Sequence, residues 1–300
     1  MTVSRLIQGD LYRLRHRRLH RLLVILLLIG LTILAWQIFD ATKPLPSSAT
    51  TTAQARCLDA QAKVRLSDPS SNFNCEALAL PVSTFPQSIA SEIVSFAFLS
   101  LGFGLMVGAS LTGHEATVGY IANWLTYDPK RFRFMATKGL AGALWSAIWT
   151  ALGLLLFVGL SWSIHRAHDL LGTTDASVWS AVASMAVRSV ALVAVVSALG
   201  AALGATLKYT GAVIAPFAAW VVIELLFPQL TVTRWLLIPN IRSWIEGGLQ
   251  YQVVTCPANE HICSSQLMTL SLSHSAGYLG ALIAIATILA VVIFVRRDVT

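Results

Sequence analysis

Six apolar runs, each close to the length of a bilayer crossing, constrain this chain more than any other feature. They cover residues 22–39, 93–112, 139–163, 189–207, 212–230 and 275–295. A helix needs about 20 apolar residues to cross the hydrocarbon core. Lipid offers no partner to an unpaired backbone amide, so each run is expected to be helical. Soluble domains carry about 25% charged residues, whereas this chain of 300 has 12%, with 56% hydrophobic. The expected fold class is an all-α polytopic membrane protein with six transmembrane helices. The first run is too long for a cleaved signal peptide, and no clean small-x-small site follows it.

Orientation follows from lysine and arginine near the helix ends. Thirteen of the 21 gather on one side. Arg5, Arg13, Arg15, Arg17, Arg18 and Arg21 precede the first run, and Lys130, Arg131, Arg133 and Lys138 follow the second. Lys208 sits between the fourth and fifth runs, with Arg296 and Arg297 after the last. Both termini are therefore expected in the cytoplasm, N-in and C-in. The net charge of +7 then reflects topology and contact with membrane lipid, not nucleic-acid binding.

Within residues 1–21, Val3, Ile7, Leu11 and Leu14 recur at helical spacing while arginines occupy the other faces. This is the pattern of an amphipathic interfacial helix on the inner leaflet. The plainer alternative is a basic flank that only sets orientation. Residues 22–300 form the transmembrane domain, with outer loops 40–92, 164–188 and 231–274 and an inner loop 113–138.

All four cysteines fall in outer loops, Cys57 and Cys75 in the first, Cys256 and Cys263 in the last. Disulfides belong to oxidising compartments, so two local bridges, Cys57–Cys75 and Cys256–Cys263, are expected. Three connectivities are open to four cysteines, and free thiols are the alternative. Loop 40–92 holds few large apolar residues and builds little core without its cysteines. It is a lid over an exit or a spacer.

Two charges near the spans are pathway candidates. Glu224 lies in the fifth run, and intramembrane carboxylates mark function by default, unless the group is wet at the outer end. Arg188 would enter the fourth span if that helix began at Val178. Burying an arginine is expensive, so the span is expected to start after it, with a cavity-facing arginine as the alternative. The stretch TVTRWLLIPNIRSWIEGGLQ is too broken to span, and Trp235 and Trp244 suit the headgroup level. Gly102, Gly104 and Gly108 line the second run. Gly200 and Gly204, four apart, share a face that permits close helix approach, to this chain or to a second copy.

Catalytic patterns are missing. No GxxxxGK[ST] loop occurs to cradle phosphates. His114-Glu115 lacks the second histidine of a zinc-protease helix. Ser110, in GASLTG, lacks the GxSG of an intramembrane serine protease and a histidine in a later span. No enzymatic activity, cofactor or metal is expected in this chain.

The segment HEATVGYIANWLTYDPKRFRFMATK, residues 114–138, is a hydrophilic interruption on the expected inner side. The stretch GASLTGHEATVG through NWLTYDPKRFRFMATKGLAG, residues 108–142, resembles the membrane-spanning permease subunit of ABC-2 type exporters, particularly those of high-GC Gram-positive bacteria. Glu115, Gly119, Leu125, Thr126, Pro129, Arg131 and Lys138 carry the likeness. Tyr120 departs from it, since many relatives have threonine or serine there. Residues 197–226 and the segment LIPNIRSWIEGGLQ resemble the family more loosely, the latter its outer re-entrant segment. The N-terminal helix resembles its elbow helix.

The resemblance implies a multi-pass protein of the bacterial cytoplasmic (inner) membrane, paired with a second permease copy or paralogue. Separate ABC ATPase subunits would bind the ATP and magnesium. The inner loop would be the coupling region that docks on the ATPase, through Glu115, Gly119, Trp124, Leu125, Thr126, Tyr127, Pro129, Arg131 and Arg133. Aromatic and apolar anchors dominate interface energy, and Glu115 near a helix start complements its dipole. The substrate would be a drug, antimicrobial peptide or lipid-like compound. Two other functions stand beside this one: a non-transporting sensor or scaffold with ligand-binding outer loops, and an ion-driven secondary transporter.

Overall fold

Among the described residues, five helices are long and apolar enough to cross a membrane, and glycines on two of them set how closely that pair packs. The computed structural model describes residues 3–43, 55–59, 61, 83–117, 131–226, 235–255 and 264–296. The helices are α1 (Val3–His16), α2 (Arg18–Ala41), α3 (Phe85–Thr117), α4 (Arg131–Ala167), α5 (Ala176–Leu207), α6 (Thr210–Leu226), α7 (Leu237–Glu246) and α8 (Leu272–Arg296). The membrane-length set is α2, α3, α4, α5 and α8. The fifth expected span, 212–230, corresponds to α6, whose 17 residues include Pro216. At 1.5 Å per residue α6 reaches about 26 Å, short of the ~30 Å core.

Packing centres on α3, of whose most apolar window 72% is buried, against 17% for α2 and for α8. At the α3–α5 contact the two backbones approach closely enough to exclude side chains. A Cβ on Gly108 would collide with the Ser197 carbonyl. One on Gly200 would lie 2.6 Å from Leu105 O, and one on Gly204 2.5 Å from Ala109 O. Thr112 Oγ1 donates across the seam to Ala201 O at 2.6 Å. The small-residue face therefore serves packing within the chain. Around it, Phe96 stacks on Phe157 at 5.2 Å between α3 and α4. At the end of the bundle near α1, Phe134 stacks on Phe294 and draws α8 against α4.

Helix α5 begins thirteen residues before the expected span start, so Arg188 lies inside it. Its start is set by Asp175, whose Oδ1 accepts from Ser177 N and Val178 N, each at 3.1 Å, and from Ser177 Oγ at 2.7 Å. A short acceptor at this position satisfies orphan helix amides. These bonds, led by that of the Ser177 hydroxyl, hold the Asp175 carboxyl below its ordinary value. Capping is therefore present above the unfolded aspartate range and is lost as pH falls through the lowered folded value. Amide exchange at Ser177 and Val178 should accelerate with that titration. Asp175→Ala should exchange fast at every pH, and equal protection in that variant would refute the cap.

One hairpin departs from the all-helical expectation. Strands β1 (Gly248–Thr255) and β2 (Ser264–Ser271) pair antiparallel, from Gly248 opposite Ser271 to Thr255 opposite Ser264. Gly247 and Gly248, with φ of 90° and 142°, turn α7 directly into β1, a backbone that side chains rarely adopt. A two-stranded sheet has open edges, which lipid does not tolerate. The hairpin instead rests on α7, where Ser243 Oγ donates to Leu270 O at 3.1 Å.

Helix α7 is the broken segment around Pro239, and a charge sits at each of its ends. Glu224 accepts from Leu237 N at 2.5 Å through Oε1 and from Ile238 N at 2.6 Å through Oε2, and the Trp220 indole donates to it as well. Arg188 Nη1 donates to Ile245 O at 3.3 Å, at the other end. A carboxylate at the N-terminus and a cation at the C-terminus both complement the helix dipole. Both pathway candidates thus clamp α7 between α5 and α6.

Candidate functional site

Where α1 meets the bundle, four charges converge on the roots of the 118–130 segment. Helix α1 ends because Arg17 is extended (ψ 129°), which turns the chain into α2 and aims the Arg17 side chain at the end of α3. Arg17 Nη2 lies 3.0 Å from Glu115 Oε1. Lys138, in the second turn of α4, places Nζ 2.8 Å from Glu115 Oε2 and 2.7 Å from Asp10 Oδ1. Its ammonium also lies 5.6 Å from the Phe134 ring centroid, close enough for a cation–π attraction.

The formal charges sum to zero, and three of the four residues are almost sealed: Glu115 and Lys138 are 3% exposed, Asp10 7%. Removing charges from water costs several kcal/mol per ion, and the cost is repaid only with close, matched partners. The cluster meets that condition. Glu115 closes α3 before the 118–130 segment, and Lys138 opens α4 after it. Asp10 and Arg17 add the N-terminal helix, so one ionic knot ties three elements.

The docking residues expected from the sequence divide accordingly. Glu115 belongs to the knot, and so does Lys138, which carried part of the resemblance. Gly119, Trp124, Leu125, Thr126, Tyr127 and Pro129 lie outside the described residues. Arg131 Nη1 donates to Val295 O at 2.8 Å and Phe294 O at 3.3 Å, capping the last turn of α8. Arg133 is half-buried in the first turn of α4. Cys57 is disulfide-bonded, while Cys75, Cys256 and Cys263, and with them the expected pairings, lie outside the described residues.

Sequence reasoning missed Asp10 and Arg17 as site residues. Asp10 falls three residues after Ile7 and four before Leu14, on the apolar stripe of α1. A lone acid on the buried face of an arginine-rich helix was the available signal. It also missed Glu92, because α3 starts at Phe85, ahead of the expected run, and takes in that carboxylate. Glu92 Oε2 accepts from Ser161 Oγ at 2.5 Å, and Oε1 lies 3.9 Å from His165 Nε2. That pair sits at the opposite end of the bundle.

Ser110 has a histidine partner after all, though from an earlier helix: His20 Nε2 lies 3.4 Å from Ser110 Oγ. The Ser110 hydroxyl donates to Val107 O at 2.9 Å, so its oxygen is the acceptor for that imidazole. His20 Nδ1 has no hydrogen-bond partner among the described residues, so no acid orients the ring as a hydrolase would require. Among the described residues, no three His, Cys, Asp or Glu side chains converge to hold a metal ion. Comparison of the chain with protein-family models, curated proteins and solved structures gives no match.

Proposed function

We propose that the chain is the permease subunit of an ATP-binding-cassette exporter. It would pair with a second permease copy or paralogue and with separate ATPase subunits in a bacterial inner membrane. The observation that supports this reading is the ionic knot of Asp10, Arg17, Glu115 and Lys138. A push on the 118–130 segment has to be delivered to helices rather than absorbed at flexible roots. A buried, mutually neutralising cluster does that, because breaking any of its contacts strands a charge. The N-terminal helix, α3 and α4 therefore move together.

Apolar cavities fit a drug, peptide or lipid-like substrate. One of about 820 Å³ lies between α4 and α5 and presents Trp162 and Trp179. Another of about 410 Å³ is walled by α3, α5, α6 and α8 and includes Phe217 and Trp220. Ion-driven transport is less well supported. Between the Glu92–His165 pair at one end and the ionic knot at the other, no chain of acids or histidines links the two among the described residues. A proton relay needs such a chain.

The test is purification of the tagged chain from its native membrane. An ATP-hydrolysing subunit should accompany it, and Trp124→Ala should reduce that association at least tenfold. A ΔΔG near 1.4 kcal/mol gives that factor, and truncating an aromatic anchor exceeds it. Isolation without any ATPase, combined with full function of the Trp124 variant, would overturn the exporter reading.

A further inference from the structure

Beside the ionic knot lies a cavity that the transport reading does not use. It has a volume of about 420 Å³ and is bounded by the α1–α2 bend, the end of α3 and the α5–α6 turn. At ~30 Å³ per water it would hold about a dozen waters, more than a hydrated side-chain niche needs. Arg17, Arg18, His20, His114 and Lys208 line it, and no carboxylate among the described residues does.

Arg17 is committed to Glu115. Arg18 and Lys208 make no ion pair among the described residues, so their charge is available to a ligand. Lys208 is held at the cavity by a left-handed backbone, φ 63°, which ends α5 and starts α6 two residues later. The first turn of α6, opening at Thr210, adds amides that have no intrahelical partner.

The inner wall supplies an independent sign of a missing partner. His20 is 1% exposed, lines this cavity, and leaves Nδ1 without a hydrogen bond among the described residues. Its Nε2 is turned to Ser110, whose own hydroxyl proton is spent on Val107 O. With the ring proton on Nε2, Nδ1 is left as an unsatisfied acceptor, suited to a headgroup hydroxyl.

The outer wall shows where the rest of such a ligand would go. Leu19 lines the cavity and is exposed, and the exposed stripe continues along α2 through Leu22, Leu26, Ile29 and Ile33. An apolar tail laid on that stripe would bring a headgroup to Arg18 and Lys208.

We propose that this cavity is a binding site for the phosphate headgroup of an anionic phospholipid, with its acyl chains along the exposed face of α2. The site needs no ATPase partner and stands apart from the exporter reading. It does more than attract lipid to a basic surface, because a walled pocket fixes one lipid at the hinge between α1 and α2.

The test uses the full purified chain in detergent, titrated with phosphatidylglycerol, with phosphatidylcholine, and with inorganic phosphate, at one ionic strength. Thermal shift and native mass spectrometry read the binding. Phosphatidylglycerol should bind at least tenfold tighter than phosphatidylcholine, and millimolar phosphate should compete only weakly. The double variant Arg18→Gln/Lys208→Asn should bind phosphatidylglycerol about thirtyfold less tightly, at about 1 kcal/mol per basic residue. Asparagine tolerates the left-handed backbone at 208, so the lipid-free melting temperature should hold. Arg296→Gln, a basic residue at the end of α8 outside the cavity, should leave binding unchanged. Equal binding of the two lipids overturns the site, as does an equal effect of Arg296→Gln. Phosphate binding as tight as phosphatidylglycerol overturns the lipid and leaves a free-phosphate pocket.

Discussion

Gly108→Ala is expected to cost this protein about 3 kcal/mol or more of stability, the largest effect of any single-methyl addition among the described residues. A β-carbon at that position is driven into the backbone carbonyl of Ser197 and lies 2.8 Å from Ala201 N. Neither obstacle is the end of a flexible side chain, so α3 and α5 must separate. Overpacking of a tight core typically costs 1–3 kcal/mol, and here separation also threatens the Thr112–Ala201 hydrogen bond and the neighbouring contacts of Gly200 and Gly204. Gly102, on the same helix, has nothing within 4 Å of the position an added methyl would take. Gly102→Ala should therefore be neutral or slightly stabilising, since alanine favours helix by up to ~1 kcal/mol. Thermal unfolding of both variants in one detergent checks the pair. Similar melting temperatures for the two would mean that the α3–α5 seam is not the close contact described.

The helical architecture was legible because lipid leaves so few choices. An apolar run of bilayer length has only one way to satisfy its amides, and the runs that became α2, α3, α4, α5 and α8 each meet that length. The boundaries were less legible, for a physical reason visible at Arg188. Its cost in lipid argued for starting the helix after it, but the carbonyl of Ile245 on α7 meets that cost. The partner lies 57 residues away and leaves no local mark on the sequence. Glu224 is the same case in reverse, since what it satisfies is the amide end of α7. The hairpin left a faint sign in the alternation of LQYQV, overshadowed by the apolar composition around it. Of the candidate site, Glu115 and Lys138 stood out beside the hydrophilic segment. Asp10 and Arg17 did not, because only the bend at Arg17 brings them there.

Lys138→Met should destabilise the chain by about 3–5 kcal/mol, the range for removing one member of a buried ion pair. The methionine fills much of the same space, so the loss is electrostatic rather than a cavity. Without the ammonium, Glu115 and Asp10 remain buried with Arg17 as the one cation left in the cluster. Adding Glu115→Gln restores a neutral cluster, so the double variant should be more stable than Lys138→Met alone. A coupling of at least ~1 kcal/mol between the two substitutions is expected for residues in direct contact. Additive effects would mean that the charges do not sense each other and that the knot is incidental. The functional consequence separates from the folding one through the neutral double variant. If the chain is the exporter subunit proposed above and the knot transmits force from the 118–130 segment, that variant should fold and still co-purify with the proposed ATPase partner, yet lose transport. Without the ionic contacts that join them, α3 and α4 are free to yield separately, and under that proposal a stroke would no longer be passed from one to the other.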